Sequence, residues 1–563
     1  MIGELAPGLI LIFGALLLPL LRGWLRAGYM LALPAIAFLQ LIAMPDGSLG
    51  HMEMFGLRLT TVRVDELSRF FGYAFLVAAL LGAIYALHVK DTVQHFAGSI
   101  YAGSALGAVF AGDLLTLLLF WELISLASVF LIWAARTPRA YRAGMRYLIV
   151  QIGSGLLLLL GLLLRYHETG SLAFDRIGLE SPGGTLIFLA FGVKCAFPLL
   201  HNWLQDAYPE ATVTGTVLLS AFTTKVAVYA LARGFPGTEI LVPIGAIMTA
   251  FPIFYAVIEN DLRRVLAYSL NNQLGFMVVG IGIGTDLALN GAVAHAFADI
   301  VFKALLFMAM GAVLFRVGTV KGSELGGLYK SMPWTTGFCI VGAASISAFP
   351  LFSGFVTKSM VIAAAMEQDR LWIWLVLLFA SAGVFHHAGI KIPYFAFFAH
   401  DSGKRCREAP PNMLIAMGLS AALCIGIGSF PDQFYALLPF QASFHPYSPD
   451  HVAAQIQLLF WSALAFTILM RTGIYPPELK STNLDFDWIY RRLGRSFAEI
   501  VGWSAARLWT VFASAIGDRT SRLIDAVRSE WSSGGIPARM THTGSMVFWT
   551  TLLLAAYLIL SYL

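Results

Sequence analysis

The chain has 563 residues, 58% of them hydrophobic and 12% charged, with a formal net charge of +5 and a mean hydropathy of +0.75. That balance excludes an ordinary soluble domain. The excess of base is accounted for by loop lysines and arginines on one membrane face, so it calls for no nucleic-acid partner. Four cysteines, Cys195, Cys339, Cys406 and Cys424, stand far apart with no CxxC pair, which argues against an iron–sulfur or zinc site within the chain.

Apolar runs of spanning length follow one another almost without pause. About 20 apolar residues at 1.5 Å each cross a hydrocarbon core of roughly 30 Å. Sixteen such spans are predicted, near 6–22, 27–44, 66–88, 95–111, 113–133, 142–164, 185–207, 213–233, 238–257, 264–284, 290–315, 336–365, 371–398, 412–430, 456–471 and 547–563. The runs are continuous rather than alternating by two, which favours helices over a barrel. The expected fold class is therefore an all-α polytopic membrane protein. The first run, Leu5 to Leu21, lacks a basic leader and a small-residue cleavage site, and is read as a retained helix rather than a signal peptide.

Basic residues fall in alternate loops: Arg22 and Arg26, Lys90, Arg136 to Arg146, Arg263 and Arg264, Arg316 to Lys330, and Lys404 to Arg407. The intervening loops are poorer in base; Pro431 to His451 has two acids and no Lys or Arg. The positive-inside rule makes the basic side cytoplasmic and sets both termini outside the cell's inner (plasma) membrane.

The fifth span, Asp113 to Ile132, reads DLLTLLLFWELISLASVFLI and carries Glu122 beside Trp121, one turn before Ser125. A carboxylate at that depth costs about 2.5–3.5 kcal/mol on insertion scales, so it must be protonated, paired or turned to water inside a bundle. The alternative to a functional role is a glutamate that pins a neighbouring helix. Two spans are interrupted. LIFLAFGVKCAFPLLHNWLQDA carries Lys194 and is broken by Pro198, and ISAFPLFSGFVTKSMVIAAA carries Lys358 beyond Pro350 and Gly354. Proline removes a donor and clashes with the preceding turn, and loose backbone at membrane depth is tolerated only where protein or a wet cavity covers it. Two broken spans five apart, each with one lysine, predict two inverted five-helix repeats, roughly 95–233 and 238–398, with a site at their interface. An ordinary kink is the alternative for either break alone.

Lysines recur at helix depth, as Lys225 in LLSAFTTKVAVYAL and Lys303 in HAFADIVFKALLF. His295, Asp299 and Lys303 stand at i, i+4 and i+8 and share one helix face, so Asp299 is expected to hold the charge on Lys303 from one turn away. His295 and Asp299 with a lysine beyond are a weak metal signal, and no metal or other cofactor is expected. Lys391 in HHAGIKIPYFAFF fits either a lysine snorkelling to headgroups or a functional one.

FWELISLASVFLI, VKCAFPLLHNWLQDAYPEATVTGTVLLSAFTTKVAVYALAR, ENDLRRVLAYSLNNQLGFM, HAFADIVFKALLF, GGLYKSMP and FPLFSGFVTKSM resemble the antiporter-like subunits shared by respiratory complex I, membrane-bound hydrogenases and multisubunit Mrp-type cation/proton antiporters. The resemblance covers about Asp113 to Ala365. It implies a fourteen-helix core with two half-channels joined by a polar axis along the membrane midplane. In that pattern Glu122 and Lys194 are the ion pair of the first half, Lys225 is the central bridge, and Lys358 is the terminal lysine. His295 and Lys303 match the polar helix between bridge and terminus. Asp299 departs from the second histidine common there, and Gln205 from the proline of a WLPDA-like motif. AYPEATVTGT and NNQLGFM look closer to the Mrp D-type subunit and its hydrogenase relatives than to the core complex I versions.

This divides the chain into N-terminal helices (1–112), a proton-translocating core (113–398), further core helices (399–475), an amphipathic segment (476–545) and a terminal anchor (546–563). In the amphipathic segment Ile489, Leu493, Phe497, Ile500, Leu508, Phe512, Ile516, Leu523 and Val527 recur at helical steps among arginines, as expected of a helix on the cytoplasmic membrane surface. It resembles in outline the lateral helix and anchor of the largest antiporter-like subunits. Gly494, Gly502 and Gly517 are possible breaks, and SSGGIPARM leads to the last span. The expected function is proton translocation along Glu122, Lys194, Lys225, His295, Asp299, Lys303 and Lys358, inside an assembly with other membrane subunits. Protons are exchanged for Na+ or K+ in the Mrp-type form. The alternatives are a redox-driven pump subunit of complex I or hydrogenase type, with electron transfer in partner chains, and a membrane scaffold whose charges only lock helices together.

Overall fold

The computed structural model describes residues 6–562 apart from 55, 442, 477–478, 480–482, 484 and 531–542. The chain divides into two units, Met1–Asp485 and Phe486–Leu563. Among the described residues, twelve helices are long and apolar enough to cross a membrane. SSGGIPARM lies outside the described residues.

The first predicted span is cut short. α1 (Pro7–Ala15) has nine helical residues and then tight turns, because Pro19 cannot donate to a continuing ladder. α2 (Gly23–Ala43) follows. Next comes a departure from the all-α expectation: an antiparallel hairpin, β1 (Gly47–Met54) and β2 (Leu57–Val64). Leu59, Val62 and Val64 of β2 are buried, and the alternating run LRLTTVRV carries the strand signal.

Side-chain caps set the next helices. Asp65 forms a capping box with Ser68 at the head of α3 (Glu66–Ala86), and Asp91 caps α4 (Thr92–Phe110). Asp113 accepts from the Thr116 N–H at 2.7 Å and its hydroxyl at 2.8 Å, fixing the start of α5 (Leu114–Trp133). α6 (Pro138–Thr169) runs from a Thr137 cap to a left-handed Gly170, a conformation glycine adopts without a Cβ penalty.

Both predicted breaks are present. α7 (Pro182–Lys194) ends at its lysine before α8 (Asn202–Ala207), and α14 (Pro333–Ile346) is separated from α15 (Ser353–Glu367). The two gaps share the tetrapeptide AFPL, at 196–199 and 348–351, and the same unusual backbone. Ala196 and Leu199 have φ of 62° and 72°, and Ala348 and Leu351 have 58° and 76°. A third break has no counterpart among the expected ones: α9 (Val213–Ala221) and α10 (Thr223–Gly234) are separated at Phe222. Between these breaks lie α11 (Leu241–Ile258), α12 (Leu262–Ile283) and the 32-residue α13 (Asp286–Val317). α13 is buried over nearly its whole length and packs against α3, α9, α12, α14, α15 and α18 (Pro411–Ser429).

The second break depends on Gly354, where a Cβ would lie 1.9 Å from the Ser345 carbonyl oxygen. The obstacle is backbone and cannot swing away. Gly354→Ala should therefore cost about 1–3 kcal/mol by overpacking, seen as less folded protein in membranes and a lower Tm; unchanged amounts and Tm would refute the close approach.

α16 (Leu371–Val384) continues into a π-helical turn, Phe385–Ile390, then α17 (Lys391–Pro393) and a second π segment, Tyr394–Phe398. α19 (Pro431–Tyr435) and α20 (Pro449–Thr472) complete the helices of this unit. In the second unit, α21 (Asp487–Glu530) is one continuous 44-residue helix through Gly494, Gly502 and Gly517, about 65 Å long at 1.5 Å per residue. Leu493, Phe497, Ile500, Leu508, Phe512, Leu523 and Val527 are exposed on it. α22 (Thr543–Tyr562) is the last helix.

Candidate functional site

The breaks matter because each frees backbone carbonyls, and a freed carbonyl at depth needs a donor. Lysine ammonium groups supply it. Lys225 reaches back across the Phe222 break to the Ser220 carbonyl at 2.9 Å, and Lys358 reaches back across the second gap to that of Ile346 at 3.0 Å. Ile346 stands two residues ahead of its AFPL, as Lys194 does in the first gap. The lysines of the two broken helices thus lie on opposite sides of the same tetrapeptide. Lys358 also lies 5.0 Å from the centroid of the Phe276 ring, which favours its charge.

Lys194 is fully buried and donates to the Trp121 carbonyl at 2.6 Å and the Ser125 hydroxyl at 2.9 Å, with its ammonium 4.6 Å from the Trp121 ring centroid. The resemblance implies that Glu122 and Lys194 are the ion pair of the first half, and no direct N···O contact within 4.0 Å joins them. They remain electrostatic neighbours. The reason is steric and local. Trp121 and Ser125 occupy the face of α5 toward α7, whereas the Glu122 carboxylate lies over Gly155 of α6, where a Cβ would fall 1.2 Å from Oε1. Trp121 is held in turn by its indole N–H on Ser154 Oγ at 3.0 Å.

Hydroxyls that no motif in the sequence points to lie between Lys194 and Lys225. Ser128 donates to the Ser125 carbonyl at 3.1 Å and stands 2.7 Å from the Tyr147 hydroxyl. Tyr101 is 2.6 Å from Thr223 Oγ1. Thr223 opens α10 two residues before Lys225. These side chains are buried, and each hydroxyl can both donate and accept a hydrogen bond.

At the centre, the Lys225 ammonium lies 2.5 Å from Asp299 Oδ2, both groups fully buried. Neither Asp299 oxygen has a hydrogen-bond partner of good geometry. The expected partner of Asp299, Lys303, turns instead to the Leu266 carbonyl of α12 at 3.5 Å. Helical spacing fixes which residues share a face; it does not fix which neighbour packs there, and here the Phe222 break delivers Lys225. His295 joins three helices: Nδ1 lies 3.0 Å from Thr357 Oγ1 of α15 and Nε2 3.1 Å from Gln273 Oε1 of α12. Gln273 Nε2 donates to Asn272 Oδ1 at 2.6 Å. Among the described residues no group of three His, Cys, Asp or Glu is arranged to hold a metal ion.

The seven residues singled out in the sequence lie on α5, α7, α10, α13 and α15. Lys225 and Asp299 touch directly, while the others approach through carbonyls, hydroxyls and amides. Lys391 is buried and donates to the carbonyls of Ala256, Val257 and Glu259 at 3.3, 2.7 and 2.6 Å. It caps the C-terminal end of α11, where the helix dipole favours a cation.

Comparison with known proteins agrees with this architecture. The family model described as "NADH:quinone oxidoreductase/Mrp antiporter, TM" matches residues 111–385. The N-type component of the NADH-quinone oxidoreductase of Desulforudis audaxviator is 30% identical, over 64% of this chain and 77% of that protein. Hydrogenase-4 component B of Escherichia coli is 29% identical, over 65% of this chain and 62% of that one. The D-type component of the Na(+)/H(+) antiporter of Alkalihalophilus pseudofirmus is 30% identical, over 50% and 62%. The chain thus spans about 62% of the length of these last two proteins. A chain of the archaeal membrane-bound sulfane sulfur reductase shares the fold, with a TM-score of 0.71 at 22% identity over 99% of both chains. A membrane bundle interrupted at AFPL, with lysines on its loosened carbonyls, is thus matched by proteins across several respiratory and antiport complexes, and this chain belongs to their family of antiporter-like membrane subunits.

Proposed function

We propose that the chain is the proton-translocating subunit of a multisubunit monovalent cation/proton antiporter of the Mrp D type. Protons move along Glu122, Lys194, Lys225, Asp299, Lys303, His295 and Lys358, and an opposing Na+ or K+ gradient supplies the drive. The observation that carries the reading is the Lys225–Asp299 pair, fully buried at 2.5 Å beside a helix break. An intramembrane pair of this kind marks an ion pathway. AYPEATVTGT and NNQLGFM resemble the Mrp D-type subunit and its hydrogenase relatives more than the core complex I versions, and the 30% identity to a D-type component of a Na(+)/H(+) antiporter supports the cation/proton form. Everted vesicles containing the intact assembly, loaded with a pH-sensitive dye, test it: Na+ or K+ added to an acidified lumen should release protons. No response to any monovalent cation would refute the antiporter reading.

A second reading, a redox-driven pump subunit with electron transfer in partner chains, is favoured by one observation, the fold match over 99% of both chains to a subunit of a respiratory membrane complex. In that case an electron donor, not a cation, acidifies the same vesicles.

The reading includes sixteen membrane crossings, two inverted five-helix repeats built on the two AFPL breaks, and a cytoplasmic basic face with both termini external. Single-cysteine labelling should find the Arg136–Arg146 loop and the amphipathic segment cytoplasmic and Pro431–His451 external. Reaction of any one from the opposite side overturns the topology.

A further inference from the structure

Two cavities meet beside Lys358. The inner one, about 250 Å³, has Lys358, Ser381 and Gln455 in its walls. The outer one, about 450 Å³, is rimmed by Glu367, His445 and Ser448, which are exposed. Ser359, Ile362, Trp374 and His451 line both. The sequence cause is one face of α15, on which Ser359, Ile362, Ala363 and Met366 recur at steps of three or four residues. That face leads from Lys358 to the helix end at Glu367, about 14 Å along the axis at 1.5 Å per residue. Two features suit the inner cavity to water. Ser381 is buried, and its hydroxyl has no hydrogen-bond partner of good geometry, whereas buried polar atoms are nearly always paired. A water needs about 30 Å³ and two to four polar partners, which Lys358, Ser381 and Gln455 supply.

His451 stands where the two cavities join. Ser448 Oγ accepts its backbone N–H at 3.3 Å, which places it in the first turn of α20. Its ring lies on that of Phe355 in α15, with centroids 4.7 Å apart and planes 19° from parallel. Nδ1 is 2.6 Å from the Pro446 carbonyl oxygen. A carbonyl can only accept, so Nδ1 carries the hydrogen and Nε2 of the neutral ring is the atom that can take a proton. Gln455, one turn further along α20, reaches the Ser347 carbonyl of the second break at 3.4 Å. The start of α20 is thus seated against the break that positions Lys358.

Resting on the proton-relay reading above, we propose that His451 carries protons between Lys358 and the water outside the base-poor 431–451 loop. The Lys358 ammonium releases a proton through water of the inner cavity to His451 Nε2, leaving a neutral amine and an imidazolium whose Nδ1–H stays on the Pro446 carbonyl. Nε2 then gives the proton to a water of the outer cavity, forming hydronium and restoring the neutral ring. Water is the only co-reactant, and the reverse sequence loads Lys358 from the same face.

The test uses the intact assembly in vesicles with a pH-sensitive dye. His451→Ala should assemble at normal amounts and transport about a hundredfold more slowly, the usual scale for losing a proton-transfer group. Imidazole in the medium fits the room left by the ring and should raise the rate of this variant with concentration. Each rate is divided by that of wild type in the same imidazole, which by itself dissipates part of a pH gradient. If alanine prevents assembly, His451→Gln takes its place; its amide keeps a donor for the Pro446 carbonyl, and it should be as slow. Ser359→Cys reads the path separately. A small water-soluble methanethiosulfonate added on the side of the 431–451 loop should modify the new thiol and stop transport, leaving wild type active; no reaction from that side overturns the path. Glu122→Gln is measured alongside. With Glu122→Gln inactive, wild-type transport in the His451 variant, or slow transport in His451→Ala that imidazole does not raise, overturns the role of His451 alone. Wild-type transport in Glu122→Gln as well overturns the relay reading.

Discussion

Asp299→Asn should leave the Lys225 ammonium fully buried with no counter-charge, and we expect it both to destabilise the subunit and to stop transport. Removing one partner of a buried pair costs about 3–5 kcal/mol, because the remaining charge has lost its compensation. Asparagine is close in shape, so little of the effect is packing. The two consequences separate in a second variant. In Asp299→Asn with Lys225→Met, both charges are gone and an apolar chain of similar length fills the space, a replacement often near neutral for stability. The double variant should assemble at close to normal amounts, measured as complex recovered from membranes, and still fail to move protons. Transport by the double variant would make the pair a structural lock and favour the scaffold reading. Recovery of neither stability nor transport would show that the pair shapes the break at Phe222 beyond its charge.

The contrast between Asp299 and the rest of the line shows where sequence reasoning stops. Hydropathy found most spanning segments, since twenty apolar residues in a row carry their own evidence. Prolines located two breaks, because the missing donor acts on its own helix. The Phe222 break has no proline or glycine, so no local signal announces it; its Ser220 carbonyl is instead bonded to Lys225. The hairpin has no long apolar run to mark it, and only the alternation in LRLTTVRV signals β2. The repeated AFPL was also legible, and it marks matching backbone at both gaps. Partners were the least legible. Asp299 shares a helix face with Lys303 as its spacing requires, yet its carboxylate meets Lys225, because a choice between two lysines is made by packing and not by period. The same limit applies to Glu122, whose neighbour Gly155 is an ordinary glycine until the two helices are docked.

That docking gives the remaining expectation. Glu122→Gln should slow proton movement about a hundredfold or more, the usual scale for losing a group that gives and takes protons, while the assembly forms normally. The amide keeps the shape over Gly155, so packing changes little. Gly155→Ala should come close to the same result with the carboxylate chemically intact. An added Cβ would fall 1.2 Å from Glu122 Oε1 and 2.4 Å from Cδ, and the obstacle is the far end of a flexible side chain, not backbone. The carboxylate therefore swings aside and the helices keep their spacing. A displacement of about 1 Å at a reacting group is enough to cost on the order of a hundredfold in rate. Both variants are read by dye-monitored transport normalised to the complex present in the same vesicles. Normal transport in Glu122→Gln removes the residue from the path. Loss in Glu122→Gln with normal transport in Gly155→Ala means that the carboxylate works from more than one position, and that its seat over Gly155 is not what makes it effective.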